Sequence, residues 1–147
     1  MAEKLSIKLG IPHHSTDDYY YEIKWSKPRD RQKSIEEISM LYHEDKWIVE
    51  GTTIHLLRSG LESADMIIYL AYKNIFYQWL VLLKRHFSKK EETFSGSLRL
   101  MRHVFYKRYG LGHKKGKMTH AEFIAPYKDK VITLSSFKEI ENFINTI

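Results

Sequence analysis

Cysteine is absent from the 147 residues. That excludes a disulfide framework, thiolate metal sites and thiol nucleophiles, and it fits a reducing cytoplasm. Also missing is any apolar run near the roughly 18 to 20 residues that a membrane span needs. No apolar h-region follows Met1-Ala2-Glu3-Lys4, as a secretory signal would require. The expectation is a soluble, cytoplasmic chain with no membrane partner. The eight histidines show no HExxH or comparable ligand spacing, and His13-His14 near Asp17 is weak ground for a metal. "FSGSL" is not a nucleophile elbow, so no Ser-His-Asp hydrolase is read here. Internal repeats and low-complexity linkers are lacking too, which favours a single domain over 1–147.

What is present suits one core. Hydrophobic residues make up 43% of the chain and aromatics 14%, enough for a domain of this length. Twenty-four Lys and Arg against 18 Asp and Glu give a net charge of +6, a bias toward anionic partners such as nucleotides, phosphorylated metabolites or nucleic acid. The positive residues gather from Lys84 onward, in "KRHFSKK", "RLMRHVFYKR" and "HKKGK". A solvated face is the plainer explanation of them.

Helical and strand signals alternate along the chain, which predicts an α/β fold. Ala2 to Leu9 reads as a short helix stopped by Gly10 and Pro12. Gly10 to Ser15 leads into a short strand or edge segment, and "STDDYYYEIKW" reads as a polar, aromatic loop or turn. Ser34 and Glu37 form a capping-box pattern, predicting a helix over Ser34 to Glu44. Trp47 to Glu50, Met66 to Leu70 and Val131 to Leu134 read as parallel strands covered on both faces. Ile54 to Leu61 suits a short helix between the first two. Asn74 to Phe87 reads as a long apolar helix with a basic end, 88–96 as a mobile lid-like segment, and Ser97 to Tyr109 as a further helix. Ser136 with Glu139 caps a last helix, Phe137 to Ile147.

Glu50 is the strongest chemical candidate, because a carboxylate at the C-terminal end of a buried parallel strand sits where such sheets bind ligands. A strand-end salt bridge is the plainer alternative. Gly51 permits close backbone approach, and Thr52 and Thr53 either donate to a phosphate or cap the next helix. Turn chemistry alone accounts for Asp17-Asp18 as well as any acid-base role does. Arg58 offers a planar fork for phosphate or carboxylate, or a solvated helix arginine. Arg85 ends the helix before the lid, and Arg99 and Arg102 share a face of the helix after it. "GLGHKKGK" lacks the span and the strand-to-helix setting of a phosphate loop.

Taken in order, "LGIPHHSTDDYYYEIKW", "DKWIVEGTT", "ADMIIYL", "LLKRHF" and "KVITLSSFKEIENFI" resemble the topology modulation and adenylate-kinase-like relatives among the phosphate-loop kinases. The resemblance implies a three-layer parallel sheet with helices on both faces. It implies ATP and Mg2+ as cofactors and a small nucleoside, nucleotide or phosphorylated metabolite as substrate. By resemblance Glu50 organises magnesium-bound water, Asp17 is the acidic residue on the acceptor side, and Arg58 faces the acceptor with Thr52 and Thr53. Arg85, Arg99 and Arg102 close over the transferring phosphate. One departure is large. In that family "GxxGxGKST" precedes the segment matching "MAEKLSIKLGIP", and here neither that phosphate loop nor the central strand before it is present.

Two function classes are therefore expected. The first is an ATP-dependent phosphotransferase when complete, inactive as these residues alone. The second is a nucleic-acid-binding or noncatalytic interaction protein, using the basic second half with Phe105, Tyr106 and Tyr109 as stacking groups.

Overall fold

Gly10 ends the first helix by adopting the left-handed conformation, φ 65° and ψ 27°, with its N–H donating to the carbonyl of Ser6. That turn sends α1 (Ala2–Leu9) through Ile11 and Pro12 into β1 (His13–Ser15), and α1 folds back against β1. The computed structural model describes residues 1–23, 26–71 and 118–147.

The tyrosine-rich stretch corrects one expectation. Where a loop was predicted, Ser15 caps α2 (Thr16–Tyr20) by accepting a hydrogen bond from the Asp17 N–H, and β2 (Tyr21–Ile23) pairs antiparallel with β3 (Lys27–Pro28). Tyr19 and Tyr20 pack against the core, so the aromatics that looked like loop residues bury a helix face. The next helix also begins earlier than expected. Asp30 Oδ1 accepts from the Lys33 N–H at 3.0 Å and starts α3 (Arg31–Leu41). Ser34 lies a turn inside it, donating to the Asp30 carbonyl at 2.9 Å, while Glu37 pairs with Arg29 instead of closing a capping box.

The apolar runs become strands close to their predicted limits: β4 (Ile48–Glu50), β5 (Ile67–Leu70) and β6 (Val131–Leu134). Between the first two lies α4 (Ile54–Ser63). A full capping box of Thr119 and Glu122, which the sequence reading did not mark, opens α5 (His120–Ile124), and a 3-10 turn over Ala125–Lys130 leads into β6. Ser136 accepts from the Glu139 N–H at 3.2 Å to start α6 (Phe137–Thr146), while the Glu139 carboxylate accepts from Ser135 N and Oγ. The expected helices over 74–87 and 97–109 and the lid over 88–96 lie outside the described residues.

The fold is thus α/β, and the parallel strands among the described residues form small pairs. β1 pairs parallel with β4, His13 opposite Ile48 and Ser15 opposite Glu50. β5 pairs parallel with β6, Ile67 opposite Val131 and Leu70 opposite Leu134. Ile38, Leu41, Tyr42 and Leu56 form one core cluster, with Val49 packed on it. Leu61, Ala64, Ile67 and Phe123 form the other. Both ends of α4 are committed in this way, Leu56 to the first cluster and Leu61 to the second, and Trp47 packs on both. Among the described residues no helix is long and apolar enough to cross a membrane.

Candidate functional site

Ser15 opposite Glu50 in the β1–β4 ladder brings the two strand ends to one edge, and everything that follows each strand is positioned by that pairing. After β1 the chain enters α2, where Asp17 is half-buried in the first turn with its N–H 3.3 Å from Ser15 Oγ. After β4 come Glu50, Gly51, Thr52 and Thr53. Glu50 is exposed, and among the described residues its carboxylate has no hydrogen-bond or ion-pair partner. The strand-end salt bridge is therefore not made within those residues.

Gly51 is the tightest point. Its φ is +147°, and a Cβ there would lie 1.7 Å from Thr16 Oγ1 and 2.8 Å from Thr16 Cβ. Only glycine lets the β4–α4 turn lie directly on the first residue of α2. Thr16 is fully buried beneath it, and its hydroxyl has no hydrogen-bond partner among the described residues.

Thr53 occupies the N-cap position of α4, with its carbonyl accepting from Leu56 N at 3.0 Å, yet its hydroxyl makes no cap bond. The Thr52 carbonyl is held from across the fold by His120, whose Nε2 donates to it at 2.9 Å. Arg58 is exposed on α4, its guanidinium 5.9 Å from the centroid of the Phe123 ring on α5. That contact engages it with α5. Arg85, Arg99 and Arg102 lie outside the described residues.

Two histidines escaped the sequence reading. His120 fixes the Thr52 turn from 68 residues away, a pairing that no local pattern announces. His55, in the first turn of α4, lies 6.0 Å from the Tyr20 ring, and burial with the positive charge of Arg31 holds its pKa below the usual histidine value.

The edge offers carboxylates, hydroxyls and open backbone, all hard oxygen or N–H groups. No group of three His, Asp or Glu side chains that could hold a metal occurs among the described residues. Two carboxylates suit magnesium only as part of a shell completed by water and phosphate, which is how that ion is commonly bound. Against known proteins, the chain matches no family model, no curated protein and no solved structure.

Proposed function

We propose that this chain is a kinase-like, phosphate-handling domain that in complete form transfers a phosphoryl group from ATP to a small nucleoside, nucleotide or metabolite. These 147 residues are inactive by themselves in this reading, because they contain no phosphate loop. The observation that carries the proposal is the parallel register of β1 and β4. It brings Asp17 and the Glu50 carboxylate, which has no partner among the described residues, to one C-terminal edge, the position where open parallel sheets bind ligands.

In this account magnesium, when bound, neutralises the phosphate charge. Glu50 would hold it through water, and Asp17 would accept the proton of the acceptor hydroxyl. Thr52 and Thr53 supply hydroxyl donors on a turn steadied by His120. Arg58 reaches an acceptor only by leaving the Phe123 ring. Arg85, Arg99 and Arg102 supply positive charge over the transferring group.

Nuclear magnetic resonance titration with Mg·ATP, and separately with inorganic phosphate, tests the reading. Shifts centred on Asp17, Glu50 and Thr52 are expected. Shifts confined to basic residues, with tighter and steeply salt-dependent binding of a single-stranded oligonucleotide, would instead favour nucleic-acid binding.

A further inference from the structure

The start of α4 has little support from its own residues. The Thr53 hydroxyl, at the N-cap position, makes no bond to the helix, and the turn before it runs through Gly51 at φ +147°. By contrast, the side chains of Asp30, Thr119 and Ser136 each accept from a backbone N–H in the first turn of the helix they start. What holds the entry to α4 comes from α5.

α5 is itself firmly placed. Glu122 Oε2 accepts from Thr119 N at 2.7 Å and from Thr119 Oγ1 at 2.8 Å, and the Glu122 N–H donates back to Thr119 Oγ1 at 3.2 Å. This closed capping box fixes the backbone on which His120 stands. Phe123 is buried with Leu61, Ala64 and Ile67. Beyond the 3-10 turn, Lys130 Nζ donates to the carbonyls of Glu62 and Ala64 at 3.0 and 2.8 Å, where α4 ends. Residues 119–130 therefore hold α4 at both ends, through His120 before its start and Lys130 at its finish.

The bond before the start orients a whole peptide group. A carbonyl oxygen only accepts, so the His120 ring carries a proton on Nε2, which lies 2.9 Å from the Thr52 oxygen. The Thr52–Thr53 peptide is planar and trans, so its C=O and N–H point opposite ways. Drawing the Thr52 oxygen toward α5 turns the Thr53 N–H away from it. Among the described residues that N–H has no acceptor. We propose that His120 is a positioning residue of the candidate site: from α5 it fixes the Thr52–Thr53 peptide so that the Thr53 N–H joins the two threonine hydroxyls as a donor to an anionic oxygen. His120 touches no reacting atom and acts through this one peptide. The donor role rests on the phosphate-handling reading given above, whereas the hold on the peptide does not.

Nuclear magnetic resonance on the whole chain tests this, with inorganic phosphate as the probe. In the unaltered chain the His120 ring should carry its proton on Nε2, in slow exchange with water. A ring protonated on Nδ1 alone would overturn the proposal whatever any variant does. His120→Phe keeps the bulk of the ring and removes the donor, whereas His120→Gln sets a side-chain N–H at nearly the same reach. The Thr53 amide signal should move in His120→Phe and return in His120→Gln. Phosphate should shift that signal in the unaltered chain, with an apparent Kd about two- to tenfold weaker in His120→Phe, the range that one neutral hydrogen bond spans, and recovered in His120→Gln. A Thr53 signal indifferent to His120→Phe, or not restored by His120→Gln, would overturn the proposal. So would equal movement of the Leu41 and Ile140 signals, since those residues are buried in α3 and α6 and would report a general loosening. Phosphate shifts at Asp17 and Glu50 with none at Thr53 would overturn the donor role and leave the phosphate-handling reading standing. No phosphate shift anywhere would sink that reading and the donor role with it, and the response of Thr53 to the two variants would still decide whether His120 holds the peptide.

Discussion

Tyr42 lies against Gly60: its hydroxyl donates to the Leu56 carbonyl at 3.0 Å, and a Cβ on Gly60 would stand 2.5 Å from its ring. This contact fastens the end of α3 to α4. Alanine would ordinarily favour a helix interior over glycine by about 1 kcal/mol, but here it drives a methyl into a buried ring. Gly60→Ala is expected to destabilise the chain by about 1 to 2 kcal/mol in urea. In a Tyr42→Leu background the same change should become neutral or stabilising, and a cost unchanged by that background would contradict the contact.

Burial pushes the Tyr42 phenol well above its usual pKa of 10.0. Since the folded value is the higher one, this tyrosine's contribution is complete below pH 10 and is lost as pH rises from there toward the folded value. Stability should therefore fall above pH 10, and Tyr42→Phe should flatten that part of the profile. An equally steep fall in Tyr42→Phe would assign it to other groups.

His55 gives the opposite dependence. Its folded pKa lies below the usual 6.5, through burial first and Arg31 second, so the neutral imidazole contributes fully above pH 6.5 and that contribution is lost as pH falls through the folded value. His55→Gln should remove part of the acid-side slope. Titration of the His55 ring at or above 6.5 in the folded chain would refute the premise.

Thr16 and Gly51 make a pair of predictions with opposite signs. The buried Thr16 hydroxyl has no partner among the described residues, so the isosteric Thr16→Val should leave stability unchanged or raise it by about 1 kcal/mol. Gly51→Ala must both strain a backbone at φ +147° and displace Thr16. A loss of more than about 2 kcal/mol is expected. Thermal denaturation of the two variants checks both signs.

How much of this was legible in the sequence differs by element, for physical reasons. Val131 to Leu134 was read to the residue because an apolar run ends at Ser135-Ser136, which caps α6 through Glu139. α3 was displaced because two capping signals compete within a few residues, and Asp30 starts the helix one turn before Ser34. α2 was missed because its tyrosines bury themselves by tertiary packing that local composition does not encode. For the candidate site, strand ends were enough to place Glu50 at the end of β4 and Asp17 just after β1. The Thr16–Gly51 contact and the His120–Thr52 bond join distant segments, and neither residue pair has a spacing that signals it. Arg58 was read either as a fork for phosphate or carboxylate or as a solvated helix arginine, and the Phe123 ring beside it comes from an α5 whose Thr119–Glu122 capping signal was not marked.

The central claim is that the Asp17–Glu50 edge belongs to a phosphate-transferring site whose main anion cradle these residues do not contain. A phosphate loop contributes several charge-assisted hydrogen bonds of about 1.5 to 3 kcal/mol each, and in the proposed reading Glu50, Asp17 and the arginines would act on magnesium, acceptor and transferring group rather than on that anchor. Calorimetry of Mg·ATP binding to this chain tests it most directly. The account predicts binding no tighter than about millimolar, with no measurable phosphate transfer. Binding near micromolar that Glu50→Gln abolishes would contradict it, since the edge would then anchor ATP unaided.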